Sequence, residues 1–129
     1  MRVKSARRPL RALVVEDNAI NQRLLHDLLV LEKIQCVLVS SGPEAIEAIR
    51  QQHFDVVLMD LQMPGMDGLE VSRLMREELG EQCPPIIAVT AYASEEDRQR
   101  CLQDYRLNGF LSKPFYRQQL MAEIRRVCR

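Results

Sequence analysis

The chain has 129 residues, of which 47% are apolar and 28% charged, and its formal net charge is zero. This length suits one domain with a single hydrophobic core, and the balanced charge gives no reason to expect nucleic acid binding or membrane contact. The basic segment 1–10 has no apolar run typical of a signal peptide, and nothing approaches the roughly 18 apolar residues of a membrane span. We therefore predict a basic tail or linker over 1–10 and one domain over 11–129.

The four cysteines are scattered through the sequence, without a C-x-x-C pair or a companion histidine cluster: Cys36, Cys83, Cys101 and Cys128. A metal–thiolate centre or a disulfide framework normally needs such clustering. Cys36 and Cys101 lie among apolar residues, where cysteine behaves as a small hydrophobic side chain. The pattern favours a reducing, cytoplasmic compartment.

The sequence alternates five times between a short apolar strand and an amphipathic helix. The predicted strands are 13–15, 36–39, 56–59, 86–89 and 110–111, and the predicted helices are 19–31, 44–50, 69–79, one that begins after Ser94, and 115–127. Turn-forming residues at 40–43 and 63–68 separate neighbouring elements. Five strand–helix pairs with right-handed crossovers predict an α/β, flavodoxin-like (βα)5 fold, a doubly wound five-stranded parallel sheet in the order 2-1-3-4-5.

Polar residues that can do chemistry follow most of these strands. Glu16 and Asp17 follow the first strand, Asp60 the third, Thr90 the fourth and Lys113 the fifth. The carboxyl ends of parallel strands meet at one edge of the sheet, and ligands of open α/β sheets bind there, at the switch point of the strand order. In this order the switch point lies between strands one and three, so we expect the three carboxylates to meet.

Three neighbouring carboxylates repel one another, and a hard divalent cation with oxygen ligands, such as Mg2+, relieves that repulsion. Asp60 is the candidate nucleophile because a carboxylate can accept a phosphoryl group as an acyl phosphate. Lys113 would supply a cation, Thr90 a hydroxyl and Ala91 a backbone amide to the transferred oxygens. Each of these residues alone is an ordinary loop, surface or strand residue, so the hypothesis depends on their convergence.

Over residues 11–127 the sequence resembles the receiver domain of two-component response regulators. The matching segments are Leu13-Val-Val-Glu-Asp-Asn18, Asp55-Val-Val-Leu-Met-Asp-Leu-Gln-Met-Pro-Gly-Met-Asp-Gly68, Pro85-Ile-Ile-Ala-Val-Thr-Ala91 and Gly109-Phe-Leu-Ser-Lys-Pro114. Segments 15–22 and 59–64 are most similar to receivers of hybrid sensor histidine kinases. The resemblance implies a cytoplasmic phosphorelay module, free-standing or part of a membrane-bound hybrid kinase, that accepts a phosphoryl group on Asp60 from a histidine kinase or histidine phosphotransfer domain.

The resemblance also implies the ligands of the metal. Asp17, Asp60 and the backbone carbonyl of Gln62 would bind Mg2+, and Glu16 would act largely through water. The peptide bond between Lys113 and Pro114 is expected to be cis, a state that is far more accessible before proline than before other residues.

The same resemblance assigns roles after phosphorylation. Thr90 and Lys113 would bind the phosphoryl group, and Thr90 with Phe110 would switch the surface formed by the fourth helix, fifth strand and fifth helix, a face that could also form a homodimer. Gln62 and Tyr92 would tune hydrolysis. Such a domain catalyses only its own phosphorylation and dephosphorylation.

One departure from the family concerns the end of the fourth helix. Residues 102–109 lack the Ala-Gly pair that usually lies there, and the segment is about one residue longer. Glycine normally serves the left-handed cap at such a position. We therefore expect this helix to end at Asn108 and Gly109 instead.

Three other functions are compatible with a fold of this class. A flavodoxin-like electron carrier would need a Ser/Thr/Gly-rich phosphate loop, whereas residues 16–18 would repel a flavin phosphate. A phosphatase of the haloacid dehalogenase type normally carries Asp-x-Asp on its first strand, whereas Asp60 is followed by Leu61 and Gln62. A constitutive docking domain stays open, although it would not need a full set of site residues.

Overall fold

The computed structural model describes residues 9–63, 65–91 and 94–128. Its main strands are β1 (Arg11–Val15), β2 (Gln35–Val39), β3 (Val56–Asp60), β4 (Ile86–Thr90) and β5 (Gly109–Ser112). Its helices are α1 (Ala19–Leu31), α2 (Gly42–Gln51), α3 (Gly68–Leu79), α4 (Glu95–Gln99) and α5 (Arg117–Val127). The strands form one parallel sheet in the order β2-β1-β3-β4-β5, which confirms the predicted fold class and strand order.

Two apolar layers hold the helices on the two faces of the sheet. One layer packs α2 and α3 on the sheet through residues such as Ala45, Ile49 and Met75. The other packs α1 and α5 through residues such as Leu29 and Leu120. Every residue of β3 and β4 is buried, because these strands have a neighbour on each side and helices on both faces, which explains their unbroken apolar sequences.

The register of the sheet positions the polar strand ends. Val15 of β1 pairs with Met59 of β3, so the next residue of each strand, Glu16 and Asp60, lies at the same level of the switch point. Thr90 pairs with Ser112 at the end of β5, which brings Lys113 to the same edge.

The fourth helix ends differently from the prediction. After α4 the chain continues as a π-helical turn over Arg100–Asp104, in which the Tyr105 N–H donates to the Arg100 carbonyl at 3.1 Å. Arg106 then adopts a positive φ of 57°, the left-handed conformation that glycine usually supplies at a helix end. The wider π turn accommodates one more residue than an α turn, which accounts for the longer segment.

Asn108 therefore has another role than ending the helix, and the prediction at this point was wrong. Its backbone N–H donates to the Ile86 carbonyl at 2.9 Å, and its side-chain Oδ1 accepts from the Ile86 N–H at 2.9 Å. The same Oδ1 accepts from Arg76 Nη2 of α3 at 2.8 Å. Asn108 thus ties the start of β4 to α3.

Two smaller features complete the fold. Gln62–Met63 pairs antiparallel with Met66–Asp67 in a short hairpin, in a segment that was predicted to be only a loop. Ser94 caps α4 as predicted, because its hydroxyl accepts the Asp97 N–H at 3.0 Å. Within residues 9–63, 65–91 and 94–128, no helix combines the length and apolar composition that crossing a membrane requires.

Candidate functional site

The structure brings three carboxylates together at the predicted switch point. One carboxylate oxygen from each of Glu16, Asp17 and Asp60 lies within 4.8 Å of the other two. Glu16 and Asp60 are buried, with 1% and 5% of their surfaces exposed, whereas Asp17 is exposed. The cluster therefore opens to solvent on the side of Asp17.

Lys113 is the cation of this cluster. Its Nζ lies 3.1 Å from Glu16 Oε1 and 3.9 Å from Asp60 Oδ2, and the side chain is 22% exposed. The following Lys113–Pro114 peptide bond is cis, as the sequence resemblance implied. One ammonium beside three carboxylates leaves an excess of negative charge. Carboxylate oxygens with such an excess fit a hard divalent cation.

Asp60 lies among groups that act on its ionised form in opposite directions. Its Oδ1 accepts the Gln62 N–H at 3.0 Å. Burial, followed by the neighbouring Glu16 carboxylate, raises the pKa of Asp60 to about 6, against the lowering effects of the Gln62 amide and the Lys113 ammonium. The surroundings of Asp60 therefore disfavour its ionised form relative to a carboxylate in water.

Gly68 allows α3 to approach the end of β3 closely. A Cβ added at Gly68 would lie 2.4 Å from the Asp60 carbonyl oxygen and 2.8 Å from Leu61 Cα. Only a residue without a side chain fits such a backbone contact. Gly68 was not predicted to be a site residue, although its position at the start of a predicted helix was a signal.

Asn18 and Gln22 hold the turn between β1 and α1, and neither was predicted to be a site residue. The Asn18 side chain caps α1 by accepting the N–H groups of Ile20 and Asn21, and its own N–H donates to Glu16 Oε2 at 3.1 Å. Gln22 Nε2 donates to the Glu16 carbonyl at 2.5 Å. An asparagine directly before a predicted helix is a recognisable N-cap signal.

The remaining predicted residues lie around this centre. Thr90 is 1% exposed at the end of β4, and Phe110 of β5 is half-buried against the apolar layer beneath α2 and α3. Gln62 is exposed and shares a cleft with Thr90. Tyr92 lies outside the described residues.

A second concave surface begins beside Lys113. A groove of about 350 Å3 runs between the first turns of α1 and the segment after β5, lined by Asn21, Leu24, Leu25, Ala91, Lys113, Pro114 and Phe115. Ile20 and Leu24 project at this end of α1 with 79% and 52% of their surfaces exposed. An apolar surface therefore adjoins the carboxylate cluster directly.

The family model that matches this chain is the response regulator receiver domain, over residues 12–125. The chain is 36% identical over 125 residues to the osmosensing histidine protein kinase SLN1 of Saccharomyces cerevisiae. That match covers 92% of this chain and 10% of SLN1, so the chain spans about a tenth of that curated relative.

Solved receiver domains are similar over nearly the whole chain. The receiver domain of sensor histidine kinase PA1611 from Pseudomonas aeruginosa is 35% identical, with a TM-score of 0.84 and coverage of 94% of this chain and 98% of that one. Its crystal structure has a magnesium ion coordinated in the active site cleft. The co-crystal of the Saccharomyces cerevisiae phosphotransfer protein Ypd1 with the receiver domain of Ssk1 gives 28% identity, a TM-score of 0.84, and coverage of 93% and 89%.

Proposed function

The chain belongs to the response regulator receiver family, and on this basis we propose that it accepts a phosphoryl group on Asp60 from a phosphohistidine donor. The observation that carries the proposal is the position of Asp60, buried at the switch point between Glu16 and Lys113. In the transfer, the P–N bond of the donor breaks, a P–O bond to Asp60 forms, and the imidazole takes up a proton. The domain catalyses this step and the later hydrolysis of its own acyl phosphate, and no other reaction.

Mg2+ is the proposed cofactor because the donor set consists of carboxylate oxygens with excess negative charge. Asp17, Asp60 and the Gln62 carbonyl would hold it, and Glu16 would act through water. When bound, the ion supplies positive charge against the carboxylates and the transferred phosphoryl oxygens. Glu16 meanwhile orients Lys113 through their 3.1 Å ion pair.

Thr90 and Lys113 are the proposed phosphoryl ligands, with the Ala91 amide as a further donor. A phosphoryl group adds acceptor oxygens, which would draw the Thr90 hydroxyl inward and leave space for Phe110. Phe110 has no polar tip, so moving inward requires no compensating hydrogen bond. The changed surface would be α4, β5 and α5.

Hydrolysis of the acyl phosphate needs a water in line with the phosphorus atom. Gln62 is exposed two residues after Asp60, where its amide would orient that water without accepting its proton. Tyr92, two residues after Thr90, would cover the approach. We therefore expect Tyr92→Ala to shorten the half-life of the acyl phosphate at fixed Mg2+, and an unchanged half-life would remove Tyr92 from this role.

The phosphoryl donor would dock on α1. Ile20, Leu24 and Leu31 are 79%, 52% and 61% exposed, and their spacing of four and seven residues places them on one face of the helix, the α1 apolar stripe. Its first two residues adjoin the groove beside Lys113 and Pro114. An apolar helix face of this kind fits an amphipathic helix of a histidine phosphotransfer or kinase domain, which would present its histidine to Asp60.

A pair of matched variants tests this docking surface. Leu24 and Val30 are equally exposed, at 52% and 53%, but Val30 lies off the α1 apolar stripe. We expect Leu24→Asp to slow transfer from a phosphorylated phosphotransfer domain by about tenfold, as loss of an apolar interface residue does. Val30→Asp should not slow it, and both variants should react normally with acetyl phosphate. Equal slowing by the two variants would show an effect of the added charge rather than of the α1 apolar stripe, and no slowing by Leu24→Asp would place the docking surface elsewhere.

The remaining parts of the proposal concern the setting of the domain. Residues 11–129 form the receiver and 1–10 a tail or linker, in a reducing cytoplasmic compartment that suits the four free cysteines. A homodimer through α4, β5 and α5 would be held by polar contacts, because this face presents ion pairs such as Arg126–Glu123 at 2.8 Å. Among the described residues of these three elements, no large apolar side chain is exposed.

Phosphorylation of the whole chain by acetyl phosphate with Mg2+, mapped by mass spectrometry, tests the main proposal. We expect one phosphoryl group, on Asp60, and no labelling when a chelator replaces Mg2+. A colourless protein that does not turn over external phosphate esters would exclude the flavodoxin-like and phosphatase alternatives. Labelling at another residue would show that Asp60 is not the acceptor, and no labelling at all would favour a constitutive docking domain.

A further inference from the structure

Arg100 lies on the wall of a small cleft that also contains residues of the phosphorylation site. The cleft holds about 160 Å3, and its lining includes Leu61, Gln62, Asp67, Thr90, Asp97 and Arg100. Thr90 is a proposed phosphoryl ligand, and Leu61 and Gln62 directly follow Asp60. Arg100 is the one cation among the lining residues of the cleft.

The π-helical turn determines where the Arg100 side chain rests. In such a turn residues five apart are hydrogen-bonded, as the Tyr105 N–H and Arg100 carbonyl are here at 3.1 Å. The same geometry brings the two side chains together, with the guanidinium 5.5 Å from the centre of the Tyr105 ring. In a regular α-helix, residues five apart point to different sides. The extra residue of this segment therefore creates the Arg100–Tyr105 contact.

This resting contact is easily exchanged. The side chain of Arg100 is exposed, and a cation over an aromatic ring at an exposed site is held weakly. A hydrogen bond with the Tyr105 side chain raises the pKa of Arg100, and an arginine in a protein is charged in any case. A stronger anion on the opposite wall of the cleft would compete for it.

Phosphorylation would supply that anion. An aspartyl phosphate brings a nearly dianionic group with strong acceptor oxygens, and Lys113 is already shared between Glu16 and Asp60, at 3.1 and 3.9 Å. The planar guanidinium matches phosphoryl oxygens better than an ammonium does. We propose that Arg100 leaves Tyr105 and binds the phosphoryl group on Asp60 across the cleft, as a second cationic ligand of the phosphorylated state.

The inference rests on the proposed phosphorylation of Asp60 and gives that state a direct link to α4. Arg100 begins the π turn that follows α4, so its movement would pull on the helix from the active site. This connection is separate from the movement of Thr90 and Phe110. It depends on attraction between Arg100 and the phosphoryl group, whereas Phe110 moves into space that Thr90 leaves.

Binding of beryllofluoride, in saturating Mg2+, tests the inference on the full chain. We expect Arg100→Gln to weaken beryllofluoride binding by about fivefold at low salt, with a smaller loss at high salt because the contact is partly screened. Arg98→Gln is the matched control, since Arg98 is also an exposed arginine, lies on α4 outside the cleft lining, and forms its ion pair with Glu95 at 3.6 Å. Arg100→Lys should recover part of the loss because it keeps the charge.

Two results would overturn the inference. Equal beryllofluoride affinities for Arg100→Gln and Arg98→Gln would show that Arg100 does not reach the phosphoryl group. A loss in Arg100→Gln that Arg100→Lys does not recover would show a structural rather than an electrostatic effect. If instead the wild-type chain neither binds beryllofluoride nor is labelled by acetyl phosphate, the proposed function fails as well, so the two failures are distinguishable.

Discussion

Asp55 and Asp60 lie at opposite ends of the same strand, and their surroundings differ sharply. Asp55, just before β3, accepts the Arg11 N–H at 2.8 Å and has His53 Nε2 at 3.4 Å. Asp60, at the other end, faces the Glu16 carboxylate and has its nearest ammonium, that of Lys113, at 3.9 Å. Both side chains are largely buried, with 12% and 6% exposed. Similar burial therefore leaves one carboxylate with close donors and the other crowded by a second carboxylate.

The difference separates a structural acid from a reactive one. A buried carboxylate with matched donors secures the backbone around it, and in Asp55 it ties the start of β1 to the start of β3. A carboxylate whose pKa is raised by burial and by a like charge costs folding free energy, and that energy is recovered when a cation or phosphoryl ligand arrives. The four predictions below test whether the two ends of β3 behave in these opposite ways.

The largest expected difference is in phosphorylation. Asp60→Asn keeps the shape of the side chain but removes the nucleophilic carboxylate, so incubation with acetyl phosphate and Mg2+ should add no phosphoryl mass. Asp55→Asn should be labelled as completely as the wild type. Intact-protein mass spectrometry distinguishes the variants, and labelling of Asp60→Asn would show that another residue is the acceptor.

The next largest difference is in Mg2+ binding. Asp17 is exposed, so Asp17→Ala should leave the fold intact while removing a proposed metal ligand. Because even outer-shell changes typically cost about tenfold or more in metal affinity, we expect at least that loss for Asp17→Ala. Glu16→Ala should cost less, and Asp55→Asn nothing. Amide chemical shifts followed during a Mg2+ titration measure all three, and an unchanged affinity in Asp17→Ala would remove it from the ligand set.

The positions of both ends of β3 could be predicted from the sequence, but the ion pairs formed at the Asp60 end could not. The alternation of apolar runs and amphipathic helices predicted the sheet. Because Asp60 and Lys113 each follow a strand, the sequence also predicted that they meet at one edge of it. Periodicity, however, does not show which oxygen the lysine approaches, and here Glu16 is the closer partner. The oxygen that Lys113 approaches depends on how the backbone is positioned at Asn18 and Gly68. Differences of about an ångström decide it, and a sequence pattern does not predict such differences.

The end of the fourth helix shows the same limit. The longer segment was recognised in the sequence, but the position of the extra residue depends on tertiary packing. Cys101 is 1% exposed and Leu107 4%, and both face the core on either side of the helix end. Keeping Cys101 and Leu107 buried requires a π turn and a left-handed conformation at Arg106. Local propensity instead favoured a helix end at Gly109.

The two aspartates should also affect stability in opposite directions. The rise in the pKa of Asp60 from 3.8 to about 6 corresponds to about 3 kcal/mol against the ionised form. Because a buried amide still needs hydrogen-bond partners, we expect Asp60→Asn to raise the free energy of unfolding by about 2 kcal/mol at neutral pH with a chelator present. Asp55→Asn should lower it by about 1 kcal/mol by weakening the bond from Arg11. Urea denaturation followed by circular dichroism measures both changes.

The pH dependence provides the control for this prediction. The folded state binds the Asp60 proton more tightly than the unfolded state, so the contribution of Asp60 favours folding below pH 4 and is lost as the pH rises through about 6. The gain from Asp60→Asn should therefore be small near pH 4 and nearly complete near pH 7. Saturating Mg2+ should reduce it at pH 7, because the ion stabilises the ionised wild-type carboxylate. A gain that does not change with pH would mean that packing, not charge, is responsible.

The smallest expected effect is a difference in chemical shifts between the two ends of β3 when beryllofluoride binds with Mg2+. The Phe110 N–H donates to Glu123 Oε1 at 3.3 Å, which links β5 to α5, so an inward movement of Phe110 should displace both elements. Amide resonances between Ser94 and Val127 should therefore shift. The amide resonances next to Asp55 should not shift. Asp55 already accepts the Arg11 N–H, and the added charge lies at the far end of the strand. Shifts of equal size at both ends would mean that β3 moves as a rigid unit, and would contradict a switch confined to α4, β5 and α5.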